Sequence, residues 1–259
     1  MKVNFLELCR SIRDEVKKKI EKIPDFELRD YVGMGKDGTP TKKVDKVAED
    51  VAISILKEYD FKIVSEEAGV VGEGDIFVAL DPVDGTFNAT RKIPLYCISM
   101  CFSKSDRLSD AFFAYVSNLA TLDEYYAEGE WSSGFAYKNE QKIKVSNKED
   151  ISICNAVFYY PDRNYGFKRI RIFGSSAIEL CLVADSSMDC FIDTRGNVKG
   201  MLRIYDVSAG LFIAKSAGAK ATDLRGNPLD SKRISMDERL TLVVANPVLH
   251  TKIINLLGS

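Results

Sequence analysis

An unbroken apolar run, Ile76-Phe77-Val78-Ala79-Leu80, passes straight into Asp81-Pro82-Val83-Asp84-Gly85-Thr86. Five consecutive apolar residues predict a buried strand of a covered sheet, so the two carboxylates fall where that strand leaves the core. Pro82 fixes φ between them. Gly85 permits a tight turn, and Thr86 adds a hydroxyl beside newly exposed backbone N–H groups. Burying two acids costs free energy unless positive charge meets them. A capped turn explains one acid; it leaves the second acid, the proline and the Gly-Thr pair as coincidence. The stretch reads as a metal-and-phosphate corner.

The rest of the chain limits what chemistry that corner can run. Its 259 residues suffice for one large domain or two packed halves, burying about 70–75% of the unfolded surface. Lys and Arg number 36 against 38 Asp and Glu. That balance offers neither a basic footprint for nucleic acid nor a polybasic membrane patch. The first residues lack an apolar signal core and no run reaches membrane-spanning length, which predicts a cytoplasmic protein. Six scattered cysteines form no Cys-x-x-Cys pair and read as buried small hydrophobes in a reducing cytosol. One histidine, His250, in an expected terminal helix, argues against a Ser-His-Asp triad or a histidine zinc site. Chemistry here must rest on carboxylates, hydroxyls, backbone amides and bound ions.

Apolar residues at helical spacing predict a helix from Asn4 to Lys22, ended by Pro24, and a second from Lys43 to Tyr59 with Asp45 in its first turn. The glycine-rich segment between them, Gly33 to Pro40, contains G-x-G-x-x-G. No strand precedes it in a βαβ unit, and Pro40 interrupts the expected helix, so it reads as a mobile loop. Phe61–Ser65 reads as a strand running into Glu66-Glu67. Strand-like segments then follow as far as Lys144, predicting an α+β half around an antiparallel sheet. Beyond the boundary, drawn as 1–148 and 149–259, strands alternate with helices in an α/β half. No Pro- or Ser-rich linker separates the two.

Three acidic sites therefore share one context: Glu66-Glu67 after a strand, Asp81 and Asp84 after a strand, and Asp206 opening a helix. Oxygen ligands without imidazole or thiolate select Mg²⁺ or Mn²⁺. Shared carboxylates holding two such ions make a clamp for phosphate ester hydrolysis, with the Gly85 and Thr86 N–H groups on phosphate oxygens.

Ser65-Glu66-Glu67, Asp81 to Thr86 and Tyr205-Asp206-Val207-Ser208-Ala209-Gly210 resemble, in order and spacing, the signatures of the inositol monophosphatase superfamily. Gly174-Ser175-Ser176-Ala177-Ile178-Glu179-Leu180-Cys181 resembles that family's helix after the linker strand. The likeness covers nearly the whole chain and is greatest to archaeal members acting as both inositol monophosphatase and fructose-1,6-bisphosphatase. It implies a sugar-phosphatase fold layered αβαβα, a small sugar or inositol phosphate as substrate, and a homodimer. Two or three Mg²⁺ ions would be held by Glu66, Asp81, Asp84, Asp206 and the carbonyl of Val83. Asp45 and Thr86 would orient the attacking water. The Gly33–Pro40 segment would be the family's mobile catalytic loop.

The resemblance also implies substrate contacts from Asp84, Ser175, Asp193 and Asp206. The chain departs from the pattern at Phe87-Asn88, at Tyr205 in place of Trp, and in a longer stretch from Asp193 to Asp206 that adds Arg195, Lys199 and Arg203. Arg195, Arg203 and Arg171 are candidates for a second, non-reacting phosphate, because guanidinium suits bidentate phosphate contact. The rivals are a 3′-phosphoadenosine 5′-phosphate phosphatase and a non-catalytic metal- or phosphometabolite-binding relative.

Overall fold

The computed structural model describes residues 3–131, 133–195 and 202–258. An eight-stranded sheet runs in the order 141–142, 135–138, 124–128, 111–118, 97–103, 76–84, 61–65 and 69–71. Period-two alternation splits its side chains between two cores. Val78, Leu80, Ile98 and Met100 pack with helices α1 (Phe5–Ile20) and α2 (Lys43–Leu56). Ala79, Cys97 and Cys101 point the other way. There they meet helices from the second half, which we label after a short α3 (Thr86–Ala89) as α4 (Ser176–Ala184) and α5 (Ile204–Ser216).

A five-stranded sheet ordered 169–171, 155–159, 190–193, 242–245, 220–222 covers the far side of α4 and α5. Its outer face carries α6 (Pro247–Gly258) over Phe158, Ile192 and Val243. The layers are thus αβαβα, as the resemblance implies. Because α4 and α5 are pressed between two sheets, they are apolar nearly all round rather than striped, and ten residues of α5 are buried. Gly210 of α5 meets α4 at a point where a Cβ would lie 2.8 Å from the Leu180 Cβ and 3.0 Å from the Ala177 carbonyl. Gly210→Ala should cost about 1–3 kcal/mol in urea unfolding, because neither neighbour is the loose end of a side chain. An unchanged midpoint would mean the helices can separate freely.

Two features differ from the sequence reading. The first sheet is mixed: strands 61–65 and 76–84 run parallel, with Ser65 opposite Leu80. The strand entering the acidic motif also does not stop at Leu80. It continues to Asp84, with an irregular register between Asp81 and Asp84 that accommodates Pro82 as a bulge. The Gly33–Pro40 segment is framed by a two-stranded hairpin, Tyr31–Met34 with Pro40–Lys42. All six cysteines are buried and unbridged, and no helix among the described residues is long and apolar enough to cross a membrane.

His250 in α6 is buried, with Nε2 2.8 Å from the Thr222 hydroxyl. That hydroxyl donates to the Asp223 carbonyl, so the ring nitrogen must be its donor, and Nδ1 has no partner among the described residues. Burial pushes the imidazole down from 6.5 to about 4. Between those values the unfolded chain takes up a proton that the folded chain refuses. Stability from this residue is therefore present above pH 6.5 and lost as pH falls towards 4. His250→Gln should flatten the pH 7 to pH 4.5 stability difference by about 2 kcal/mol. Parallel pH curves for the two proteins would contradict this.

Candidate active site

Parallel pairing of strands 61–65 and 76–84 brings Glu66 beside Asp81, since each follows directly on the opposed residues Ser65 and Leu80. Asp81 is buried and its Oδ1 accepts the Val83 N–H at 3.0 Å, which ties the bulge to its own first acid. Asp84 is gripped from the second half of the chain. Its Oδ2 accepts the Ser175 hydroxyl at 2.8 Å and the Ala177 N–H at 2.7 Å, at the start of α4. One carboxylate oxygen is thus fixed by protein and the other is left to face the site. Asp206 lies in the first turn of α5, with Oδ2 accepting the Arg203 N–H at 3.0 Å.

These four acids share one electrostatic field. Burial raises Asp81 well above the carboxylate range, and Asp84, Asp206 and Glu66 push it further. Burial and Asp206 raise Asp84; burial raises Asp206 too. Glu66 is pushed up to about 8 by burial and by Asp206, against the pull of Arg203. Arg203 is the neutralising group: Nη1 donates to Glu66 at 2.7 Å and Nη2 pairs with Asp37. Among the described residues no group of three or more His, Cys, Asp or Glu side chains forms a ready-made metal cage. The donor set nonetheless fits a hard divalent cation. It is rich in carboxylate, contains no imidazole or thiol ligand, and buries four carboxylates against the pull of Arg203 and, on Asp206, Arg239.

A second pair stands beside the cluster. The Thr86 hydroxyl is 2.9 Å from Asp45 Oδ1 and 3.3 Å from the Val83 carbonyl. Burial pushes Asp45 up to about 7. Gly85 turns the chain between them with φ 93°, and a Cβ there would approach the Leu95 and Gly174 carbonyls at 3.0 and 3.2 Å. That close approach, more than the turn alone, demands glycine.

Of the other site candidates, one supports the cluster and the rest bond elsewhere. Ser175 is buried and spends its hydroxyl on Asp84. Asp193 and Arg195 are bound to each other, with Nε 3.0 Å and Nη2 2.6 Å from Oδ2. Arg171 is exposed and, among the described residues, its side chain bonds the Ile170 carbonyl. Lys199 lies outside the described residues.

Four residues to which the sequence reading gave no role also build the site. Glu49 of α2 accepts Ser65 Oγ at 2.5 Å and the N–H groups of Glu67 and Ala68 at 3.1 Å, fixing the turn that aims Glu66. Asn88 bridges the Leu95 and Phe173 carbonyls, both at 2.7 Å, tying the corner to the second half. Asp37, its side chain wholly buried, anchors the hairpin tip to Arg203. Glu179 accepts the Tyr159 hydroxyl at 2.6 Å and the Phe173 and Gly174 N–H groups. A lone acid on an apolar helix, as Glu179 is, was the one available sequence signal.

The model of the inositol monophosphatase family matches residues 7–259. A fructose-1,6-bisphosphatase/inositol-1-monophosphatase of Archaeoglobus fulgidus is 57% identical over 97% of both chains. A bifunctional NADP phosphatase/NAD kinase of Methanococcus maripaludis is 33% identical; the match takes 99% of this chain but half of that protein. Among solved structures, an inositol monophosphatase-fructose 1,6-bisphosphatase superposes with TM-score 0.82 at 30% identity, covering 98% of this chain and all of that one.

Proposed function

The chain belongs to the inositol monophosphatase family, and on that premise we propose a Mg²⁺-dependent phosphatase for fructose 1,6-bisphosphate and inositol 1-phosphate. It is a phosphoric monoester hydrolase. One observation carries the metal-dependent reading: four carboxylates, Glu66, Asp81, Asp84 and Asp206, share one largely buried field in which Arg203 pairs with Glu66 and Arg239 only adds to its pull on Asp206. With the Val83 carbonyl they would hold two or three Mg²⁺ ions, or Mn²⁺ in their place. Bound there, the cation supplies charge neutralisation and a water of lowered pKa.

The chain's own groups do the rest. Asp45 takes the Thr86 proton in a hydrogen bond, which leaves the threonine oxygen free to accept from the attacking water and aim it at phosphorus. The Gly85–Thr86 turn receives the phosphate. Asp84, locked by Ser175 and Ala177, presents one oxygen at a fixed angle. Transfer is direct to water, in line, without a phosphoenzyme.

For a second phosphate, Arg203 and Arg195 already serve acids, whereas Arg171 pairs with no acid among the described residues. Arg171→Ala should raise KM for fructose 1,6-bisphosphate about tenfold and leave inositol 1-phosphate unchanged. Equal effects on both substrates would remove it from that role. Buried free cysteines suit a reducing cytoplasm, and we take the protein as a cytoplasmic homodimer, testable by light scattering.

The deciding assay is phosphate release from fructose 1,6-bisphosphate, inositol 1-phosphate and 3′-phosphoadenosine 5′-phosphate, with and without Mg²⁺. Metal-dependent release from the first two supports the proposal. Release from the nucleotide alone makes the protein a nucleotide phosphatase. No release from any leaves a binding protein.

A further inference from the structure

We propose that Ser99 and Ser208 are positioning residues for Asp81, holding one buried water against the carboxylate oxygen that Val83 does not bind. The inference rests on the metal-dependent reading above and concerns what fixes the expected ligand from behind.

The strand 97–103 runs antiparallel to the strand 76–84 that carries the acids, and its pairing sets a small polar residue opposite each of them. Cys97 is the register partner of Asp84, and Ser99 that of Asp81. Register partners share a face, with Cβ atoms about 4.5–5.5 Å apart. Here the face is the one that α5 covers, because Ala79, Cys97 and Cys101 pack there with Ile204, Val207 and Leu211. Cys97 reaches its acid directly, with Sγ 3.9 Å from Asp84 Oδ2. Ser99 does not reach Asp81: its hydroxyl is buried and has no partner among the described residues.

That sets Ser99 apart in this sheet. The sheet's other buried serines all bond, Ser65 to Glu49, Ser103 to the Arg107 carbonyl and Ser117 to the Asp123 carbonyl. A second unpaired hydroxyl meets the same strand from α5. Ser208 is the one polar side chain from Val207 to Ala214 of that helix. It is wholly buried and lies against Cys101, two residues along from Ser99 on the same face. The Cys101 thiol is a weak acceptor, and Ser208 makes no hydrogen bond of good geometry among the described residues.

A buried hydroxyl without a partner costs free energy, and two of them beside one half-bonded carboxylate share a single remedy. Asp81 Oδ1 takes the Val83 N–H, and Oδ2 meets no protein donor among the described residues. A water about 2.8 Å from each partner spans the cross-strand gap, and three bonds are what a buried water ordinarily makes. Both serines donate to it, and it donates to Asp81. Every proton in the chain then points towards the carboxylate, which strengthens each bond. Removing a group that orients a metal ligand from behind typically costs about 10–100-fold in cation affinity.

Ser99→Ala, Ser208→Ala and the double variant are to be compared with the parent by calorimetric Mg²⁺ titration and by Mn²⁺ electron paramagnetic resonance. Each single variant should weaken cation binding about tenfold. The double variant should be no weaker than either, because one water serves both hydroxyls. At saturating Mg²⁺ the KM for inositol 1-phosphate should stay within about twofold. A hydroxyl that is simply unpaired gives the reverse: its removal raises the metal-free melting temperature and leaves cation affinity unchanged. That result overturns the inference, as do losses that multiply in the double variant. A high-resolution crystal structure of the parent should show a water within about 3 Å of Ser99 Oγ, Ser208 Oγ and Asp81 Oδ2. Density without that water overturns the inference even where a variant folds poorly. A parent that binds neither Mg²⁺ nor Mn²⁺ overturns the metal-dependent reading itself, and this inference with it.

Discussion

Asp81→Asn should reduce phosphate release on the order of 10³-fold or more, yet raise the melting temperature of the metal-free protein. The two effects come from one cause. Asp81 is buried, and its ionised form is opposed first by desolvation and then by Asp84, Asp206 and Glu66. Without a cation, that carboxylate is a burden the folded state carries and the unfolded chain does not. The amide has nearly the same shape, so packing is kept while the repulsion goes. We expect a gain of about 1 kcal/mol or more, roughly 3 °C for a chain of this size. Added Mg²⁺ should then stabilise the parent and leave the variant almost unmoved, because a ligand that binds only the folded state shifts its melting point. Activity falls because several kcal/mol of charge stabilisation are lost with the ligand. Scanning calorimetry with EDTA and with Mg²⁺, beside a phosphate assay, reads every term. A metal-free variant less stable than its parent would mean that Asp81 is satisfied by protein alone.

The contrast between Asp81 and Arg203 shows what a linear sequence can disclose. Asp81 was legible because an apolar run of five residues ending in acid has few physical explanations, and the same logic exposed Glu66 after Phe61–Ser65. The layer order came only with the family resemblance; in the fold, α4 and α5 are apolar nearly all round because a sheet covers each side of them. Arg203 reaches Glu66 across 137 positions of sequence, and no local period encodes that. It read as one of three arginines free to take a phosphate; in the fold it spends its charge on Glu66 and Asp37. Arg195 is tied to Asp193 in the same way. Residue type predicted what these arginines can bind, but only the fold shows which partner reaches them first. The bulge at Pro82 escaped for a related reason. Proline argued for a strand end, whereas pairing of Asp84 with Cys97 carries the strand past it.

Thr86→Val and Asp45→Asn should each lower kcat on the order of 10²-fold, and the double variant should be little worse than either single one. This non-additivity is the expected mark of two groups acting as one device. Thr86 gives its only proton to Asp45 at 2.9 Å, ahead of the Val83 carbonyl at 3.3 Å, so its oxygen aims a water best while the carboxylate is present. Asp45→Asn can turn a donor towards the hydroxyl and so point the threonine proton at the water instead. KM should change less than threefold, because the role proposed for both side chains is to aim the water and not to hold the substrate's own ring. Folding should be barely affected, since Thr86 is partly exposed and Asp45 loses only a charge that burial already opposes. Positioning a nucleophile and its base is worth about 10²–10⁴-fold in general, which brackets the expected loss. Measured kcat for the four proteins of the cycle decides the matter. Fully additive losses near 10⁴-fold would separate the two residues and return Asp45 to the role its place in the first turn of α2 would otherwise give it, a carboxylate matched to the helix dipole.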